Sequence, residues 1–213
     1  MRRCWTVILM VFVLSLAAFA SYSQDFSGEG LPEGFKIVEG DWKVEDGRIV
    51  GESPSIAVQG RVVFGPVMDN FVYSVDITFL SAKDNARWCS VFFRASEDGA
   101  SPYHMFTIRK GSAAQNGTEL AFRRPDGQWD VRRKKPYATA FEYNKTYRVT
   151  VAVCDDVFLY FIDDELQFAA IETGYRDEGI FGLHVNGCKV AFDNITIEPY
   201  DRKKYKAFEG EAE

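Results

Sequence analysis

The chain has 213 residues, with 31 acidic against 25 basic side chains and a formal net charge of −6. That balance excludes a general binder of nucleic acid or of anionic membrane. The length suits one domain with a substantial core, and an aromatic content of 15% fits either ring-bearing surfaces or a large aromatic interior.

Residues 1–20 read as a cleavable export signal. Arg2-Arg3 form a basic start, residues 5–19 an apolar run, and Ala18-Phe19-Ala20 the small-residue cleavage pattern. The run is too short for a comfortable membrane span, and no cysteine follows it to carry a lipid, so a secreted or periplasmic protein is expected. Losing Arg2 and Arg3 with the leader leaves 23 Lys and Arg against 31 Asp and Glu, a net charge of −8. Beyond Cys4 in the leader, the cysteines are Cys89, Cys154 and Cys188. An odd number allows at most one internal disulfide, and their strand-like surroundings favour buried thiols. Sequons at Asn116, Asn144 and Asn194 matter only in a host that glycosylates exported chains.

After the leader, apolar residues recur with period two between Gly, Pro, Asn and Asp clusters, which predicts an all-β antiparallel sandwich. Residues 25–40 are glycine-rich and read as an irregular lead-in. Residues 41–45 and 48–52 flank Asp46-Gly47, a hairpin turn signal, and residues 60–64 form a short strand before Gly65-Pro66. In residues 71–80, Phe71, Tyr73, Val75, Ile77 and Phe79 take the core face, leaving Ser74, Asp76 and Thr78 on the other.

The next two strands, 87–94 and 103–109, carry the most unusual surface. Cys89, Val91 and Phe93 join His104, Phe106 and Ile108 inside. Trp88, Ser90, Phe92 and Arg94 share the opposite face with Tyr103, Met105, Thr107 and Arg109. Residues 118–123 put Leu120 and Phe122 inward and Glu119, Ala121 and Arg123 outward. Pro125-Asp126-Gly127 turns into 129–135, where Arg132-Arg133-Lys134-Lys135 reads as an edge guarded by charge or, alternatively, as a recruiter of acidic glycan. Residues 147–153 and 157–162 form a second hairpin, followed by strands at 167–170, 179–185 and 189–197. One sandwich domain over 21–200 results, with a charged tail at 201–213 that is frayed or helical and has no core of its own.

Several phrases together resemble the concanavalin A-like jelly roll. They are Asp41-Trp42-Lys43-Val44-Glu45-Asp46-Gly47, Val91-Phe92-Phe93-Arg94, Tyr147-Arg148-Val149-Thr150-Val151, the turn Ile162-Asp163-Asp164-Glu165, and Gly179-Ile180-Phe181-Gly182-Leu183 with Phe192-Asp193-Asn194-Ile195. Over residues 35–199 the order is similar to 3-keto-disaccharide hydrolase-like domains, to family 66 carbohydrate-binding modules and to laminin-G-like domains. The resemblance implies a sandwich whose curved sheet offers an outer groove. The acidic E-x-D-x-x-E signature of laminarinase-like enzymes is absent.

Alternation places Asp76, Trp88, Arg94, Tyr103, Thr107, Arg109, Glu119 and Arg123 on that groove face. Sugars suit this mixture, because rings stack on Trp or Tyr while hydroxyls pair with charged groups. Cross-strand salt bridges on a solvated sheet would use the same residues. Trp129 either extends the platform or caps the core. The expected ligand is an oligo- or polysaccharide held by Trp88, Arg94, Tyr103, Arg109, Glu119 and Arg123. If the chain is instead a glycoside or 3-keto-disaccharide hydrolase, Asp76, Glu119 and His184 are the candidate catalytic groups. A third reading is an envelope protein-interaction domain. A structural calcium would draw on Asp193 or loop carboxylates; Asp193 reads more simply as a turn residue, and neither metal nor cofactor is expected.

Overall fold

The computed structural model describes residues 21–111, 117–137, 140–172 and 178–212. The expected leader and the Asn116 sequon lie outside them. In chain order the strands are β1 (Tyr22–Gln24), β2 (Lys36–Glu39), β3 (Asp41–Glu45), β4 (Arg48–Glu52), β5 (Gln59–Met68), β6 (Phe71–Ala82), β7 (Trp88–Ala95) and β8 (Tyr103–Arg109). They continue as β9 (Thr118–Arg123), β10 (Trp129–Lys135), β11 (Thr146–Cys154), β12 (Val157–Ile162), β13 (Glu165–Ile171), β14 (Gly179–Asn186) and β15 (Cys188–Pro199), before one helix, α1 (Arg202–Glu209).

Among the described residues these strands form two antiparallel sheets. One runs β13-β12-β11-β6-β15-β4-β3, with β1 also on β15; the other runs β10-β9-β8-β7-β14-β5-β2. The period-two pattern decides the layering. Phe71, Tyr73, Val75, Ile77 and Phe79 of β6 face Cys89, Val91 and Phe93 of β7 and Phe181, Leu183 and Val185 of β14 in a single buried cluster. Each buried Phe contributes about 1.5–3 kcal/mol through loss of water contact. Most of the aromatic content is spent here: the Phe71 and Phe181 rings meet edge to face at 4.7 Å. The Tyr73 hydroxyl donates to the Gly182 carbonyl at 3.2 Å, linking the sheets.

Three expectations need revision. The strand at 60–64 continues through Gly65-Pro66 to Met68. Pairing with β2 ends at Val63 and the β14 register shifts between Gly179 and Phe181, so the missing proline N–H has no ladder partner to disappoint. The charged tail takes the helical form of the two expected, but it packs on the sandwich instead of standing apart. Asp201 caps α1 by accepting from the Lys203 amide at 2.9 Å, and Tyr205 and Phe208 pack on Phe161 at 5.7 and 5.2 Å between ring centres. The helix thus covers one part of the outer face of the eight-stranded sheet, around Phe161; no helix among the described residues is long and apolar enough to cross a membrane.

Third, alternation breaks inside β7. Arg94 has φ of 55°, a left-handed conformation that bulky residues rarely adopt. Beside it the register with β14 slips between Ile180 and Gly182. The bulge inverts the parity, so Ala95 rather than Arg94 joins Phe92 and Tyr103 on the outer cluster.

Cys89, Cys154 and Cys188 are free thiols. The Cys188 thiol donates to the Trp88 carbonyl at 3.1 Å, and burial pushes it up to about 12.

Candidate functional site

The outer face of the seven-stranded sheet is built in rows fixed by register. One row is polar: Arg61, His184, Ser90, Thr107, Glu119 and Lys134 lie side by side across six strands. The adjacent row is apolar: Val63, Gly182, Phe92, Met105, Ala121 and Val131. Gly182 is required there, because the Phe92 ring occupies the space a Cβ would need. Tyr103, Arg123 and Trp129 form the next row, and Trp88 pairs with Arg109 on the far side.

The sheet curls over this face. Strands β10 and β14 have three strands between them, which on a flat sheet would set them roughly 19 Å apart. Yet the Trp129 ring lies 6.2 Å from that of His184. Trp129, 37% exposed, also meets Trp88 and Tyr103, each at 6.3 Å between ring centres. The Arg123 guanidinium stacks 4.3 Å above it.

Two cavities open on this face, one lined by Trp129 and one by the Arg123 that stacks on it. The first, about 200 Å³, is lined by Trp88, Met105, Thr107, Arg109, Glu119, Ala121, Trp129 and Val131. Both Glu119 carboxylate oxygens accept from the Arg109 Nη2 at 2.8 Å, and the Arg109 Nη1 donates to the Ala86 carbonyl at 2.9 Å. The second cavity, about 360 Å³, includes Glu39, Gln59, Arg61, Tyr103 and Arg123 in its walls. His184 is fully buried beneath Trp88 and Trp129, with its ring 4.6 Å from Trp88. Neither of its nitrogens has a hydrogen-bond partner among the described residues, and nor does the Ser90 hydroxyl beside it. Burial first, then the positive Arg61 and Arg123, hold His184 well below its ordinary value, so its ring is neutral. Burial raises the Tyr103 phenol against the opposing pull of the same two arginines.

The structure brings together Trp88, Arg109 and Glu119 in the first cavity and Tyr103 and Arg123 in the second. It separates two residues expected beside them. Arg94 is turned by its bulge toward the sandwich end, donating to the carbonyls of Asp69 at 3.0 Å and Asp155 at 2.8 Å with its guanidinium over Phe158. Asp76 lies on β6 in the other sheet, accepting from Arg148 at 3.0 Å and from Asn194 at 2.8 Å. Alternation tells which side of its own strand a residue takes, not which sheet the strand enters, so Asp76 and Glu119 cannot flank one bond.

His104 packs in the inter-sheet core against Phe122 and Phe158, at 4.8 and 4.9 Å between ring centres. Asp193 faces Asp76 across the ladder and accepts from the Asn194 amide at 2.7 Å. Among the described residues no group of three or more His, Cys, Asp or Glu side chains is placed to hold a metal ion. Of the two readings of Trp129 the structure takes the first, since it lies on the outer face, and Met105, put on that face by alternation, lines the same cavity. The site residues that pattern reading left out are Arg61 and Val131; for Val131 a signal existed, in its alternation with Trp129 directly after the Pro125-Asp126-Gly127 turn.

No protein-family model matches the sequence, and no curated protein matches it. Solved structures do match in fold. The carbohydrate-binding module CBM66 from Bacillus subtilis superposes with a TM-score of 0.66 at 22% identity, covering 78% of this chain and 95% of that one. The Bacillus licheniformis beta-glucanase gives 0.61 at 12% identity over 86% of this chain and all 100% of its own. A prokaryotic beta-1,3-1,4-glucanase from a mouse hindgut metagenome gives 0.61 at 10% identity, covering 85% of this chain and 100% of that one. At such identities the likeness is one of fold, and that fold is the concanavalin A-like jelly-roll sandwich.

Proposed function

We propose that the chain is an exported carbohydrate-binding domain that holds a glycan on the outer face of its seven-stranded sheet without cleaving it. One observation carries this reading. The first cavity sets two tryptophans, Trp88 and Trp129, beside an Arg109–Glu119 pair fixed by two hydrogen bonds. Flat apolar rings next to rigid charged donors and acceptors match the alternating faces and edges of a pyranose or furanose ring. The fold neighbours, a carbohydrate-binding module and glucanases, support the same ligand class.

Binding is favoured over hydrolysis by the carboxylates. Glycoside cleavage uses two carboxyl groups on either side of the scissile bond. Among the described residues Glu119 is the one carboxylate lining the first cavity, and both its oxygens already accept from Arg109, so no second carboxyl group stands across a bond held there. The test is affinity electrophoresis against a panel of polysaccharides, with released sugar assayed in parallel. Trp88→Ala is expected to weaken binding about tenfold or more, the loss of a central aromatic contact. Asp76→Asn should leave it unchanged. Full affinity in Trp88→Ala would overturn the site, and sugar release abolished by Glu119→Gln would establish a hydrolase instead.

A further inference from the structure

The two cavities are not chemically alike. In the first, the Arg109 charge is matched by Glu119. In the second, the Arg61 Nη2 reaches Glu39 only at 3.4 Å, its Nη1 donates to the Gly99 carbonyl at 3.0 Å, and its buried Nε has no partner among the described residues. Arg123 forms no ion pair among the described residues. It lies on Trp129, which fixes the plane of the guanidinium while leaving its edge N–H groups available. Tyr103 stands in the same wall. A neutral sugar hydroxyl both donates and accepts, whereas a guanidinium only donates. Two guanidinium groups opposed by one carboxylate therefore fit an acceptor-only group better than they fit a neutral diol. The chain as a whole is acidic, so this local excess of positive charge runs against its surroundings.

We propose that the cavity between Tyr103, Arg61 and Arg123 is an anion-reading subsite, so that the glycan held on this face carries carboxylate or sulfate groups. This rests on the carbohydrate-binding reading above. Trp129 is then the link between the two: it stacks against a sugar in the first cavity, and the Arg123 guanidinium lying on its ring faces the charged substituent of the neighbouring sugar in the second.

The experiment compares matched pairs that differ only in charge: polygalacturonate against its methyl ester, and dextran sulfate against dextran, by affinity electrophoresis at low and physiological salt. The charged member of at least one pair is expected to bind about tenfold tighter. Polygalacturonate alone would identify carboxylate, dextran sulfate alone sulfate. Arg123→Gln, at an accessible position, should remove most of that difference; Arg61→Gln should do the same where circular dichroism shows it folded. Lys135→Gln, on the basic edge strand but outside the rows of this face, should keep it. Equal affinity within both pairs, or a preference lost equally in the lysine variant, overturns the subsite while leaving glycan binding standing. Failure of all four polymers, together with every neutral glycan of the wider panel, defeats both readings.

Discussion

His184 couples the binding face to stability. Its ring is buried and held neutral, with a folded-state value well below the ordinary one, whereas in the unfolded chain it titrates near about 6.5. Above that pH both states are neutral and the full stability is present. As pH falls below it, the unfolded chain takes up a proton that the folded chain refuses. Stability is then lost by up to about 1.4 kcal/mol per pH unit until the folded-state value is reached. Thermal melts between pH 7.5 and 5 should show this slope, and His184→Phe should make it shallower. An identical slope in that variant would place the proton uptake elsewhere.

At the level of elements, the helix and the groove lie on opposite sheets and should be separable. Tyr205 is 4% exposed and packs with Phe161 beneath α1. Tyr205→Ala is expected to cost about 2 kcal/mol, read as a lower urea midpoint with little change in slope. Glycan affinity should be unaffected, because the helix touches β12 rather than the groove strands. An affinity loss matching that of Trp88→Ala would show that the two sheets are coupled.

Strand identity and facing were legible where alternation ran unbroken. The Asp46-Gly47 hairpin, the inward face of β6 and the paired faces of β7 and β8 all follow from period two. Arg94 was misplaced because one residue with positive φ flips every later side chain. Asp76 was misplaced because sheet membership is a long-range pairing, β6 with β11 and β15, that no local pattern encodes. The role of Trp129 as a wall depends on the curl of the whole sheet, and a linear pattern carries no curvature.

Taken whole, the molecule is a sandwich with one outer face covered in part by its own helix and the other left as a curled groove with rings and arginines. After residue 20 the chain has three tryptophans, Trp42, Trp88 and Trp129. Trp42 packs in the inter-sheet cluster against Phe192, with its indole N–H on the Glu39 carbonyl, while the other two line the first cavity. That arrangement gives a direct readout of where a ligand sits. In a ¹⁵N-labelled sample titrated with a bound glycan, the indole N–H signals of Trp88 and Trp129 are expected to shift progressively while that of Trp42 stays in place. Shifts confined to Trp42, or none in Trp88 and Trp129 at saturating glycan, would contradict the assignment of this face as the binding site.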